Sequence, residues 1–505
     1  MARIFIDTDS AQGTISRHIY GHFAEHLGRC IYGGLYVGQD SPIPNTRGMR
    51  SDAVAALREM GLPCLRWPGG CFADEYHWKD GVGKERKRMV NTHWGGVTED
   101  NSFGTHEFME LCAQLGCEPY INGNLGSGEV AEMQEWVEYI TSGASAPMPL
   151  WREANGRKEP WKLKYFGIGN ENWGCGGNMC AAFYSQMYKR YATYVRDYGD
   201  NRVFRVACGA GASYGPGELN LEWTDTFMAN AAGMADGYSL HYYTVTNSWQ
   251  DKGSAVGFTA EEYYKTLKKA LWLDDVIRRH AAVMERHDEQ GRVKIIFDEW
   301  GTWHNPEEGT NPGFLYQQNT MRDALAAALS LNIFNKYCRV VHMANLAQLC
   351  NVLQAVILTE GEKMLLTPTY HVFRLYRPHQ GARLLQSAAH TGMAGPEGWE
   401  VPRVSHSASM AADGSVTLTA ANLSCESEER VELLMAGGAY AFDAGHILVG
   451  GMSAHNTFDA PRNAASAPFT AFAAECAAPA LTRGSFTLPP CSVAALTFRS
   501  TGVSA

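Results

Sequence analysis

The hydrophobic rhythm of the chain changes twice. From residue 16 to about residue 378, short apolar runs bounded by Gly, Pro, Asn and Asp alternate with longer stretches whose apolar positions recur at helical spacing. The runs Ile19–Ala24, Cys64–Trp67, Pro119–Asn122, Tyr165–Gly169, Phe204–Cys208, Gly237–Tyr242, Lys294–Glu299 and Val340–Asn345 predict eight strands. Between them Ser51–Met60, Thr105–Leu115, Glu129–Ile140, Ala181–Tyr198, Ala260–Arg286 and Tyr316–Leu331 predict amphipathic helices, with Thr367–His379 as a closing one. This alternation predicts an α/β fold around a parallel sheet: a (β/α)8 TIM barrel with insertions or, less well, a doubly wound sheet.

Outside that region the pattern is all β. Residues 1–15 predict one or two short strands broken at Asp9-Ser10-Ala11-Gln12-Gly13. Residues 379–505 predict a C-terminal β-sandwich, jelly-roll-like, from short alternating runs at Ser415–Ala420, Arg430–Leu434, Phe469–Phe472 and Val493–Phe498. The N-terminal strands are expected to join it, since they would otherwise leave an open edge. The nearest approach to low complexity is the Ala-rich patch Ala460–Ala480.

Polar residues decide between the two parallel architectures. Glu25, Arg66, Asn122, Glu171, His241, Glu299 and Gln348 fall at or just past the C-terminal ends of seven different predicted strands. A barrel brings all those ends to one rim, whereas a doubly wound sheet offers a single switch point. Two of the seven are carboxylates closing apolar runs: Glu171 in Gly167-Ile168-Gly169-Asn170-Glu171-Asn172-Trp173 and Glu299 in Lys294-Ile295-Ile296-Phe297-Asp298-Glu299-Trp300. Strict alternation sets Tyr165, Gly167, Gly169 and Glu171 on one face and turns Asn170 to the other. Both Asn170 and Glu171 can face a ligand only if the strand ends there in a bulge or turn, which Gly169 makes sterically easy. A pair of carboxylates is what glycoside hydrolysis requires: one protonated to donate to the leaving oxygen, one ionised to attack or to activate water.

Bulk composition narrows the chemistry further. At 505 residues the chain exceeds a single core, and its formal charge of −10 supplies no basic surface for nucleic acid. Met1-Ala2-Arg3-Ile4-Phe5-Ile6 enters a strand pattern directly and no apolar run is long enough for a membrane span, so a cytoplasmic protein is expected. The 13 cysteines lack disulfide or zinc spacing and are expected to be reduced thiols, with no metal and no cofactor. Cys71 follows a Pro-Gly-Gly turn with no local partner for a nucleophile, and His241 reads as a hydrogen-bonded structural residue. Trp94, Trp173, Trp300 and Trp303 lie near predicted rim loops, where indoles can stack on sugars. Gly81-Val82-Gly83-Lys84 lacks the spacing of a phosphate loop.

Taken together, Ile19-Tyr20-Gly21-His22-Phe23-Ala24-Glu25-His26-Leu27-Gly28, Arg66-Trp67-Pro68-Gly69-Gly70, Gly169-Asn170-Glu171-Asn172-Trp173-Gly174, His241-Tyr242-Tyr243, Asp298-Glu299-Trp300 and Asn345-Leu346-Ala347-Gln348 resemble glycoside hydrolase family 51, the intracellular bacterial α-L-arabinofuranosidases. The resemblance runs over essentially the whole chain. It implies a (β/α)8 barrel with a C-terminal β-sandwich, retention of configuration by double displacement without a metal, and a homo-oligomer, commonly a hexamer. Glu171 is implied as acid/base and Glu299 as nucleophile. Glu25, Cys71, Asn170, Tyr243 and Gln348 are implied to hold the furanose, with Trp94 and Trp303 towards the leaving group and Arg66 beside the nucleophile. Gly301 stands where Asn often follows Asp-Glu-Trp, a departure that bears on leaving-group preference.

The expected function is release of terminal arabinofuranose from arabinan, arabinoxylan or derived oligosaccharides. Another furanosidase or an endo-β-glucanase on the same scaffold is the enzymatic alternative, and a non-catalytic glycan-binding barrel the other. An endo-enzyme would show a long open cleft, an exo-enzyme a closed pocket.

Overall fold

The computed structural model describes residues 1–211, 219–478 and 481–501. Strand β1 (Ala2–Thr14) lies outside the barrel, which consists of β2 (Gly21–Phe23), β3 (Cys64–Trp67), β4 (Glu118–Gly123), β5 (Tyr165–Ile168), β6 (Phe204–Ala207), β7 (Gly237–Thr244), β8 (Lys294–Thr302) and β9 (Val341–Ala347). Neighbours in this order pair in parallel, and β9 closes on β2. The eight-stranded expectation therefore holds, with shifted limits. Ile19 and Tyr20 belong to a short 3-10 helix, Arg17–Tyr20, that precedes β2.

Helix limits follow local chemistry. Ser51–Met60 and Thr105–Leu115 form as predicted, and each stops at a glycine with positive φ, Gly61 at 79° and Gly116 at 70°. The predicted Ala260–Arg286 divides into Ala260–Leu271 and Leu273–Glu285, and Ala181–Tyr198 stops at Ala192. Tyr316–Leu331 shifts to Met321–Lys336, because Thr320 and Asp323 cap its start. Met321–Lys336 is buried over almost its whole length, wedged between the barrel and the C-terminal sheet, which explains its weak amphipathic signal.

The closing helix forms as Pro368–Tyr376 with a 3-10 turn at Arg377–His379, and beyond it the described residues form only strands and loops. Strand β1 runs unbroken from Ala2 to Thr14, antiparallel to Arg383–His390 and parallel to Glu429–Ala436. The predicted break at Asp9–Gly13 is absorbed instead by register shifts between Asp7 and Ala11 and between Ala11 and Gly13. These strands belong to one ten-stranded sheet. Its two ends meet around a shared core: Phe442, near one end, stacks on Phe472, which in turn packs on Phe486 near the other. Phe469–Phe472, predicted as a strand, is a loop between short strands at Ala467–Pro468 and Ala473–Ala478.

Candidate active site

Two breaks in strand geometry create the site. β5 ends at Ile168, one residue before the predicted limit, and Gly169 leaves it with φ 86°. A left-handed turn there requires glycine, and it carries the chain to Glu171, itself at φ 41°. Glu171 therefore reaches the rim through a turn and not through strand alternation, which corrects the shared-face reading of Tyr165, Gly167, Gly169 and Glu171. On β8 the register against β7 slips between the Ser239–Ile296 and His241–Glu299 pairs. This bulge lets the adjacent residues Asp298 and Glu299 both turn inward.

The inward groups form one connected network. Arg66, fully buried on β3, donates to Glu299 Oε1 at 2.8 Å and to Asn170 Oδ1 at 2.7 Å. Tyr243 donates to the other oxygen of Glu299 at 2.8 Å. His241 stands between the acids: its Nδ1 is 2.9 Å from Glu171 Oε1 and 3.5 Å from Glu299 Oε2, while its Nε2 is 3.1 Å from Asp298 Oδ1. One ligating oxygen of Glu171 and one of Glu299 lie within 4.8 Å of each other. Burial favours neutral imidazole, but Glu299, Asp298 and Glu171 outweigh it and push the pKa of His241 up to about 10. Asp298 is held down at about 2 by Arg66 and His241 against the opposing effect of burial.

A cavity of about 280 Å³ opens above this network. Glu25, Cys71, Glu171, Tyr243, Glu299 and Gln348 line it together with Trp94, Trp173 and Trp303. Glu25 accepts from Trp94 Nε1 at 3.0 Å, from the Phe72 amide at 3.2 Å and from Gln348 Nε2 at 2.7 Å. Burial, and then the charge of Glu299, raise its pKa to about 8 despite those donors. Gly70 fits under both carboxylates: a Cβ there would stand 2.9 Å from Glu25 Oε1 and 3.1 Å from Glu299 Oε1. Trp303 packs edge-on against Tyr243 and Trp249, forming an aromatic wall.

All eleven predicted site residues thus gather at one rim. Asn170 lies behind the cavity wall, its side chain held by Arg66. Trp300 is not at the cavity; it is buried against Phe334 and Phe373. Sequence reasoning missed Trp249, Leu315 and Leu353 on the wall, and Tyr120, which donates to Asp298 Oδ2 at 2.7 Å. It also missed Asp74, which ties three backbone amides together beneath Asn170. The expectation of reduced thiols fails at one place. Cys71 and Cys175 are joined as a disulfide across a Cα separation of 5.6 Å, because the loops after β3 and β5 converge beside Glu171.

Comparison with known proteins follows the same outline. Residues 56–253 match the model of the alpha-L-arabinofuranosidase 1 domain and residues 298–492 that of the alpha-L-arabinofuranosidase C-terminal domain. The chain is 47% identical, over 93% of its length and 91% of the relative's, to an intracellular exo-alpha-L-arabinofuranosidase of Bacteroides ovatus. The crystal structure of a GH51 arabinofuranosidase from Xanthomonas axonopodis pv. citri superposes with TM-score 0.94 at 41% identity, covering 99% of this chain and 100% of that one. An arabinose complex of the alpha-L-arabinofuranosidase from Thermotoga maritima superposes with TM-score 0.86 at 29% identity, covering 98% and 99%.

Proposed function

The chain belongs to the α-L-arabinofuranosidases of glycoside hydrolase family 51, and from that premise we propose that it releases terminal α-L-arabinofuranose with retention of configuration, using Glu299 as nucleophile and Glu171 as acid/base. The observation that carries this assignment is the meeting of the two carboxylates: their oxygens approach within 4.8 Å on one rim. Retaining enzymes hold their carboxyl groups about 5–5.5 Å apart, whereas inverting ones leave about 6.5–9.5 Å for a water.

The two acids are prepared differently. Arg66 and Tyr243 each donate to one oxygen of Glu299, which holds and orients the group that attacks the anomeric carbon. As that ester bond forms, the glycosidic bond breaks and Glu171 gives its proton to the departing oxygen. With Oε1 of Glu171 engaged by His241, its Oε2, beside the Cys71–Cys175 bridge, is the oxygen that carries the proton. In the second step Glu171 takes a proton from water, which attacks the anomeric carbon and releases arabinose and the carboxylate of Glu299. Glu25 and Gln348, with Tyr243 and Cys71, hold the furanose, Asn170 completes that set from behind, and Trp94 and Trp303 bound the leaving-group side.

The small cavity supports exo attack on a single terminal sugar rather than an endo cleft. Arabinan, arabinoxylan and their oligosaccharides are the proposed sources. The intracellular relative supports a cytoplasmic location, and the family resemblance supports a homo-oligomer, a hexamer. Among the described residues no helix is long and apolar enough to cross a membrane. Proton NMR of the first product from an aryl α-L-arabinofuranoside tests the mechanism: α-arabinofuranose is expected first, and an initial β anomer would exclude double displacement.

A further inference from the structure

The bridge between Cys71 and Cys175 lies against the oxygen assigned to proton transfer. Cys175 Sγ is 3.5 Å and Cys71 Sγ 3.7 Å from Glu171 Oε2. Both cysteines are partly exposed, and Cys71 lines the cavity. The ligating atoms of Cys71, Cys175 and Glu171 all lie within 4.8 Å of one another. In a tetrahedral zinc site with Zn–S about 2.3 Å and Zn–O about 2.0 Å, an oxygen stands about 3.5 Å from each sulfur. The spacing between Glu171 and the two sulfurs already matches that edge; only the sulfurs have to separate, to about 3.8 Å, which rotation about their Cα–Cβ bonds supplies once the S–S bond is cut.

We propose that the reduced pair Cys71 and Cys175, with Glu171, forms an inhibitory site for a thiophilic divalent cation such as Zn²⁺, and that the disulfide keeps this site closed. The inference rests on the assignment of Glu171 as acid/base. A dithiol reductant gives two electrons and two protons to the bridge, yielding two thiols and its own disulfide. The metal then displaces both thiol protons and binds two thiolates and one carboxylate oxygen, with water in the fourth position. Glu171 bound in this way has no proton to give, so hydrolysis stops. After metal release, thiol–disulfide exchange with a small-molecule disulfide, which is itself reduced to two thiols, restores the bridge. The chain's activity would then depend on thiol redox state only when the metal is present.

The test uses the full-length enzyme in two forms, with the bridge intact and after reduction by a phosphine, which converts the disulfide and water to two thiols and phosphine oxide. Zinc is titrated into each while aryl arabinofuranoside hydrolysis is followed. The reduced form is expected to lose activity at least about tenfold, reversibly on chelation, while the bridged form changes less than about twofold. Equal inhibition of both forms would overturn the proposal, because it would assign the metal to the oxygens and nitrogen of Glu171, His241 and Glu299 instead. Cobalt(II) provides a readout independent of turnover. The reduced protein should show thiolate-to-cobalt charge-transfer absorption that disappears in Cys175→Ser and weakens in Glu171→Gln. If that band is unchanged in Cys175→Ser, the metal sits on other cysteines and the site is refuted. A band that appears while zinc leaves hydrolysis intact supports the metal site and counts against Glu171 as acid/base.

Discussion

Asp74 accepts a hydrogen bond from the backbone amide of Asn170 at 3.0 Å, one residue before Glu171, the proposed acid/base. Its other carboxylate oxygen accepts from the amides of Leu125, at 2.9 Å, and Gly126, at 2.7 Å. One buried side chain thus joins the loops after β3, β4 and β5, and it does so where Gly169 and Glu171 depart from strand geometry. Burial raises the Asp74 carboxyl to about 7 in spite of these amides.

Removing that clamp should damage the acid step more than the fold. Asp74→Ala leaves the buried amides of Leu125 and Asn170 without their acceptor, each costing on the order of 1–3 kcal/mol if no water replaces the carboxylate, while the exposed Gly126 amide can turn to solvent. kcat/KM is expected to fall about 10- to 100-fold on substrates with poor leaving groups and much less on activated aryl glycosides, which need little protonation. Equal losses on both substrate classes would indicate general disruption instead.

Glu299 as proposed nucleophile and Glu171 as proposed acid/base should fail in different ways. Glu299→Ala should reduce kcat at least about 10³-fold on every substrate. Glu171→Ala should spare the first step for good leaving groups and accumulate the glycosyl-enzyme, visible as an added arabinosyl mass. Added azide should then restore turnover and give a product with retained configuration. Azide rescue of Glu299→Ala with inversion fits the same roles; rescue in the reverse pattern would exchange them.

Gly70 is required for space, since a Cβ there would meet the carboxylates of both Glu25 and Glu299. Gly70→Ala should push Glu25 and Glu299 from their positions, raising KM and lowering kcat/KM by about tenfold or more, with a stability loss of no more than about 1–3 kcal/mol. A crystal structure of the variant with both carboxylates unmoved would contradict this reading.

Glu25 should leave a signature in the pH dependence of stability. Its folded pKa is raised from 4.5 to about 8, chiefly by burial and then by Glu299. A raised carboxyl pKa means that the folded state holds a proton that the unfolded state releases. The stabilisation is therefore complete below about pH 4.5 and is lost progressively as pH rises through about 8. Glu25→Gln should remove that slope, so the melting temperature of the variant relative to wild type should rise between those limits. Parallel curves would show that Glu25 ionises normally.

Much was legible in the sequence because it is carried by local periodicity and by residue type. Apolar runs of strand length between amphipathic stretches specify a parallel barrel, and polar residues at seven strand ends specify its working rim. Glu171 and Glu299 stand out because apolar strands seldom close on carboxylates. The split of Ala260–Arg286, the loop at Phe469–Phe472 and the buried helix Met321–Lys336 were not legible, since each depends on what packs against the segment.

The sequence by itself determined the fold, the two acids and the need for a break at Gly169, because strand parity and the conformational freedom of glycine are properties of a few adjacent residues. Only the tertiary structure decided that Asp298 turns inward beside Glu299, that Trp300 stays in the core, that Asp74 fastens three loops and that Cys71 meets Cys175. Those outcomes depend on a register slip between strands and on the convergence of loops a hundred residues apart. Spacing along the chain carries no record of either: 104 residues separate the two cysteines that, in the folded protein, lie together against Glu171.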